Sequence, residues 1–200
     1  MKDINFIIVG VGGQGTVLAG DILAEVGMMT GCDAKKTDVL GLAIRGGSVV
    51  SHVRWGDKVD APMSMRGTVD YLLSFEPIEA LRQLDFLNTK STIVYNEYKI
   101  PPVTVTSGLN TYPSDEEIDH ALKESAGNIY SINATEKAIE IGNVKTVNVM
   151  LLGALTVFLD IDLETWETAI KKFVPKQLAD ANLEAFRTGR EMMKAKESIT

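Results

Sequence analysis

The stretch that most constrains this chain is its beginning, where an apolar run, INFIIV at residues 4–9, is followed by GVGGQG at 10–15 and TVLAGDILAEVGMM at 16–29. A short β-type run, glycines and then apolar residues at helical spacing predict strand, tight turn and helix. In that geometry the first helical N–H groups have no intrachain acceptor and the helix dipole adds partial positive charge. An anion is then stabilised without a basic side chain. Gly10, Gly12 and Gly15 also satisfy the dinucleotide fingerprint G-x-G-x-x-G. That fingerprint also wants an acid about 20 residues further on, at the end of a buried strand. Asp33 and Asp38 stand near that position, but CDAKKTDVLGLAIRGG does not read as an apolar strand ending in an acid. Two readings of the turn stay open: an anion site, or glycines that only let strand and helix pack closely.

With 200 residues, 45% of them hydrophobic, the chain supports one well-buried core, and a single domain over 1–200 is expected. Strand-like runs at NFIIV, SVVSHVRW, YLLSF, STIVYN and NIYSIN are mostly separated by segments of helical period. This pattern predicts an α/β sandwich with a largely parallel β-sheet flanked by helices. EPIEALRQLDFL reads as a helix with Pro77 in its first turn and Ile78, Leu81, Leu84 and Leu87 on its core face. Three of the six prolines fall in 97–113, which reads as an extended excursion, and Ser114 with Glu117 forms a capping box opening the next helix. Residues 146–159 are apolar on nearly all sides and predict a buried helix. For the last helix, packing on the core is the first expectation and a partner surface the second.

The formal net charge of −7 argues against nucleic acid and anionic membrane as partners, since no basic patch larger than Lys35-Lys36 offsets it. No uncharged run reaches the roughly 20 residues of a membrane span, and the N-terminal apolar stretch is too short for a secretory signal. A cytoplasmic protein is expected. One cysteine, Cys32, cannot supply the roughly four thiolates of an iron–sulfur cluster. His52 and His120 show no metal-ligand spacing, so no metal site is nominated.

A second candidate stretch is GLAIRGGSVVSHVRWG at 41–56, where Arg45, Gly46, Gly47 and Ser48 put a guanidinium beside backbone that a ligand can approach. Arg54 is the other cationic candidate. The alternative is a plain turn with surface arginines. His52 lies on the same strand face as Val50 and Arg54, and a satisfied or exposed imidazole is the first expectation for it. No nucleophile elbow or P-loop is present, and no catalytic residue is nominated.

Taken in order, VGVGGQGTVLAGDILAE, KKTDVLGLAIRGGSVVSHVRWG, FEPIEALRQLDFL, IPPVTV with a later YP, and GNVKTVNVMLLGAL resemble the gamma-type small subunit of the 2-oxoacid:ferredoxin oxidoreductases, and within it the indolepyruvate branch. The departures are Leu40 and Ile44, where this branch often has a histidine and a glutamine. The resemblance implies the fold of the corresponding third domain of pyruvate:ferredoxin oxidoreductase. It also implies a large partner subunit that holds thiamine diphosphate and the iron–sulfur clusters, with ferredoxin as electron acceptor. Coenzyme A is the one cofactor it brings towards this chain, and Gly12, Gly13, Gln14, Gly15 and Thr16 with Arg45 to Ser48 are then expected at its phosphate or at the subunit boundary. Subunits for pyruvate, 2-oxoisovalerate or 2-oxoglutarate, a free nucleotide- or coenzyme A-binding protein, and a homodimer of the isolated chain are the competing expectations.

Overall fold

The computed structural model describes residues 3–41 and 46–198. In chain order it contains β1 (Ile4–Val11), α1 (Thr16–Met29), β2 (Asp33–Leu40), β3 (Ser48–Gly56), β4 (Tyr71–Ser74), α2 (Pro77–Leu81), β5 (Thr92–Asn96), α3 (Val103–Thr106), α4 (Asp115–Ser125), β6 (Asn128–Ile132), α5 (Ala134–Glu140), α6 (Val147–Leu155), α7 (Leu163–Phe173) and α8 (Ala179–Glu197). The strands form one six-stranded sheet in the order β2-β3-β1-β4-β5-β6. β1, β4, β5 and β6 are mutually parallel, whereas β3 runs antiparallel to both β1 and β2. The sheet is therefore largely parallel, as expected, with one reversed strand. Its origin is local: the crossover through α1 sets β2 parallel to β1 but one place away, and β3 returns from β2 to fill the gap.

Alternation along the strands divides the core. Phe6, Ile8, Leu73 and Val94 face a large cluster with Ile22 and Leu23 of α1, the whole of α6, Trp166 and Ile170 of α7, and Phe186 and Met193 of α8. Ile7, Val9, Leu72 and Ile93 face a smaller cluster with Ala80 of α2 and Ile118 and Leu122 of α4. The central strands are apolar on both faces because both faces are covered. The last helix spends its apolar stripe inside the molecule: Gly153 of α6 and Gly189 of α8 let the two backbones meet, and a Cβ at either would lie 1.9 Å from a carbonyl oxygen of the other helix. Burying Leu183, Phe186 and Met193 there stabilises by about 1.5–3 kcal/mol each.

Three expectations need correction. β2 was not recognised, because DAKKTDVL is a half-exposed edge strand without an apolar face. The helix expected over 76–87 stops at Leu81, and residues 84–86 form a separate 3-10 turn. The excursion 97–113 contains one helical turn, α3, started after Pro102. Among the described residues no helix is long and apolar enough to cross a membrane.

Candidate functional site

The glycine turn lies at the C-terminal end of β1, between β4 on one side and β3 on the other. The connection after β1 crosses to the large-cluster face through α1, and that after β4 to the opposite face through α2. That divergence opens a crevice at the strand ends, where ligands of open α/β sheets bind.

Gln14, Gly12 and Gly15 each have a definable task in the turn. Gln14 Oε1 accepts from Val11 N at 2.7 Å while its Nε2 donates to Phe75 O at 3.0 Å, which ties the turn to the end of β4. Gly12 N donates to Gly47 O at 2.8 Å, joining the turn to the Gly-Gly stretch before β3. Gly15 is the N-cap of α1 at φ 84°, and a Cβ there would also stand 2.4 Å from Asn148 Nδ2. Glycine is required on both counts. No side chain caps α1, and its first turn carries no acid. Thr16, 2% exposed, has a hydroxyl with no hydrogen-bond partner.

Two cavities flank the turn. One, of about 300 Å³, is lined by Val11, Gly13, Gly15, Thr16, Val17 and Val49. The other, of about 420 Å³, lies between the turn and the start of α6, with Gln14, Leu18, Tyr98, Ile100, Lys145 and Asn148 in its walls. Neither is lined by His, Cys, Asp or Glu. The arrangement can hold an anion, and among the described residues the ionisable side chains in the two walls are Tyr98 and Lys145.

The structure brings Gly12 to Thr16 together with Gly47 and Ser48, while Arg45 lies outside the described residues. Gly46, at φ 77°, makes the turn before them. Ser48 Oγ donates to Glu79, a buried carboxylate that also meets Arg82, so its hydroxyl is engaged within the fold. Arg54 likewise serves the fold, donating to Asn5 Oδ1 and Ala61 O, both at 2.8 Å. His52 is buried against Phe86, accepts from Ser64 N at 3.3 Å, and burial lowers its pKa. It is a satisfied histidine. The Lys-Lys-Thr-Asp motif is architectural too: Lys36 bridges Asp21 of α1 at 2.8 Å and Asp38 at 2.7 Å, and Asp38 accepts from Ser51 Oγ at 2.6 Å. Sequence reasoning missed Tyr98, Ile100, Lys145 and Asn148 as site residues, since they come from distant segments. The only signal was the stretch GNVKTVNV, which carries the last two.

Fold and site together define an open α/β domain whose glycine turn sets an uncapped helix N-terminus at the strand ends, between two cavities. The chain belongs to the pyruvate ferredoxin/flavodoxin oxidoreductase family, whose model matches residues 5–192. It is 41% identical to indolepyruvate oxidoreductase subunit IorB of Pyrococcus horikoshii, over 94% of this chain and 95% of that protein. Identity to 2-oxoglutarate synthase subunit KorC of Archaeoglobus fulgidus is 29%, over 96% and 88% of the two chains. The keto/oxoacid ferredoxin oxidoreductase gamma subunit from Geobacter sulfurreducens has the same fold, with a TM-score of 0.69 at 23% identity over 96% of this chain and 99% of that one. The 2-oxoglutarate:ferredoxin oxidoreductase from Magnetococcus marinus, solved with 2-oxoglutarate, coenzyme A and succinyl-CoA bound, superposes with a TM-score of 0.76 at 22% identity. That match covers 98% of this chain and 32% of the longer one.

Proposed function

We propose that the chain is the small subunit of a coenzyme A-acylating 2-oxoacid:ferredoxin oxidoreductase acting on indolepyruvate and related arylpyruvates. Its near full-length identity to an indolepyruvate oxidoreductase subunit, well above that to a 2-oxoglutarate synthase subunit, carries the substrate class. Thiamine diphosphate and the iron–sulfur clusters belong to a large partner subunit. The donor set here supports that division: there is a single cysteine, and among the described residues no group of three or more His, Cys, Asp or Glu side chains could hold a metal. When bound, those groups supply the decarboxylation and the electron path to ferredoxin.

This chain's part is to hold coenzyme A by a phosphate at the α1 N-terminus, with Gly12 to Thr16 forming the cradle and the segment ending at Ser48 forming its other wall. The uncapped helix end and the unpartnered Thr16 hydroxyl support that role. Steady-state assay of the complex reconstituted anaerobically with its large subunit tests it. Val17 is 37% exposed in the first turn of α1 and lines the smaller cavity. Val17→Glu adds a carboxylate that the helix dipole favours and a phosphate does not. KM for coenzyme A should rise about tenfold, equivalent to about 1.4 kcal/mol, with thermal stability unchanged. An unaltered KM would remove the phosphate from the turn. Failure of the complex to reduce ferredoxin with any arylpyruvate would remove the substrate assignment.

A further inference from the structure

The two edges of the sheet are finished differently. At β6, Lys196 of α8 donates to the backbone oxygen and to the hydroxyl of Ser131, which puts an ammonium on the rim. The β2 edge is open. Gly41 N donates to Ser48 O at 3.1 Å, in the register of the β2–β3 ladder, and residues of an antiparallel ladder alternate between facing the neighbouring strand and facing away from it. The N–H and C=O groups of Ala34, Lys36, Asp38 and Leu40 therefore point out of the sheet, and none of them has a backbone partner among the described residues. Val39 and Leu40 on the same strand are 46% and 62% exposed. An eight-residue edge with free backbone groups and exposed apolar side chains at its end is a template for another strand.

We propose that β2 pairs antiparallel with β2 of a second copy of this chain, about a two-fold axis at Thr37, and joins the two sheets into one. Self-complementarity selects both the occupant and the register. The outward backbone groups meet only where even-numbered residues face even-numbered ones. Among the two-fold pairings that do this and engage more than half of the strand, centring on Lys35 or Lys36 sets two ammoniums opposite each other, and centring on Asp38 sets two carboxylates opposite each other. Centring on Thr37 sets Lys36 opposite the partner's Asp38, Ala34 opposite the partner's Leu40, Lys35 opposite the partner's Val39, and the two threonines opposite each other. Lys36 and Asp38 share the α1 face, where Lys36 already bridges Asp21 and Asp38, so the pairing extends an existing network of charges. Leu40 gains Ala34, which packs on the large cluster. The two chains run in opposite directions, so the glycine turns lie at opposite ends of the joined sheet and neither enters the seam. One strand pair is smaller than a standard protein interface, which places the dimer among weak, concentration-dependent ones. The pairing holds whether or not coenzyme A binds at the turn.

Sedimentation equilibrium of the full chain should show monomer and dimer in exchange, and residue 39 reads the register because it is exposed and opposes the partner's Lys35. Val39→Glu should tighten the dimer and Val39→Lys should weaken it, each by about threefold to tenfold in Kd over the two symmetric pairs, with the unfolding midpoint unchanged. In a Cys32→Ser background, Thr37→Cys should form a disulfide between two copies under a thiol oxidant. The Cα atoms of such a non-hydrogen-bonded pair stand about 4.5 Å apart, within the span of a disulfide. Lys35→Cys and Val39→Cys chains should cross-link when mixed and not separately. The Thr37→Cys cross-link should also form in the complex reconstituted with the large subunit. A chain that sediments as a monomer throughout, a dimer whose affinity ignores the charge at residue 39, or a disulfide that forms as readily with Lys35→Cys alone overturns the pairing. So does a Thr37→Cys cross-link that forms in the isolated chain and is lost in the complex, because the edge then belongs to the large subunit.

Discussion

The N-termini of α1 and α2 stand at the ends of adjacent parallel strands, β1 and β4, and are finished in opposite ways. α2 is closed. Glu76, wholly buried, accepts through Oε2 from Ile78 N at 2.7 Å and Glu79 N at 3.2 Å. Its Oε1 accepts from Ile100 N at 3.0 Å and from the Tyr112 hydroxyl, which pins the 97–113 excursion over the helix. α1 is open, with a glycine at its cap and a threonine hydroxyl left without a partner. α4, α5 and α7 follow α2, each capped by the side chain of Ser114, Asn133 or Asp162. α3, α6 and α8 also lack a side-chain cap, but α6 and α8 continue from 3-10 turns at 144–146 and 176–178 and α3 is a single turn, so α1, starting on a glycine at the strand ends, is the open end that contrasts with α2.

Breaking the closed end should have the largest effect. Glu76→Ala leaves two helical amides, the amide of Ile100 and the Tyr112 hydroxyl without their acceptor in a buried place, and should cost about 3 kcal/mol. The midpoint of urea unfolding measures this, and a loss below about 1 kcal/mol would mean that water replaces the carboxylate and the end was never sealed. Burial pushes the Glu76 carboxyl up, against the hydrogen bonds that pull it down, and its charge beside Tyr112 helps burial hold that phenol well above its usual range. At the open end the same kind of deletion should act in the other direction. Thr16→Val removes a hydroxyl that nothing in the fold satisfies, so stability should hold or rise by up to about 1 kcal/mol. KM for coenzyme A should increase about fivefold to tenfold. If unfolding measurements show the variant less stable and KM is unmoved, the hydroxyl serves the fold and the contrast between the two ends disappears.

Much of this contrast was legible in the residues. Strand, glycine turn and helix are encoded within residues 4–29, and the capping box of Ser114 and Glu117 formed as expected, because both are set by neighbours in sequence. What could not be read depends on partners far along the chain. Glu76 looked like the residue before a helical proline, and its role appears only when Ile100 and Tyr112 fold over it. β2 carries no apolar face because it sits at the sheet edge, held by Lys36 and its two aspartates. The candidate site divides in the same way: Gly12 to Thr16 were found by local pattern, whereas Lys145 and Asn148 reach the turn only through the placement of α6. Ser48 and Arg54 were candidates by type, and both are engaged inside the fold.

The smallest expected effect lies on the far face of the sheet and sharpens what a closed polar group is. His52 is 3% exposed and accepts from Ser64 N, and burial holds its pKa below the ordinary 6.5. The folded chain therefore keeps this imidazole neutral while the unfolded chain takes up a proton. Its contribution to stability is complete above the unfolded value and is lost as the pH falls towards the folded one, with a bound of about 1.4 kcal/mol one pH unit below 6.5. His52→Gln keeps an acceptor for Ser64 N and removes the titration. Between about pH 7.5 and about pH 5.5 the wild-type chain should lose more unfolding free energy than this variant. Ferredoxin reduction by the complex should show no corresponding difference in pH profile. If the profile shifts with His52→Gln while stability does not, the imidazole is acting on the reaction, and the division into closed structural polar groups and one open binding end no longer holds.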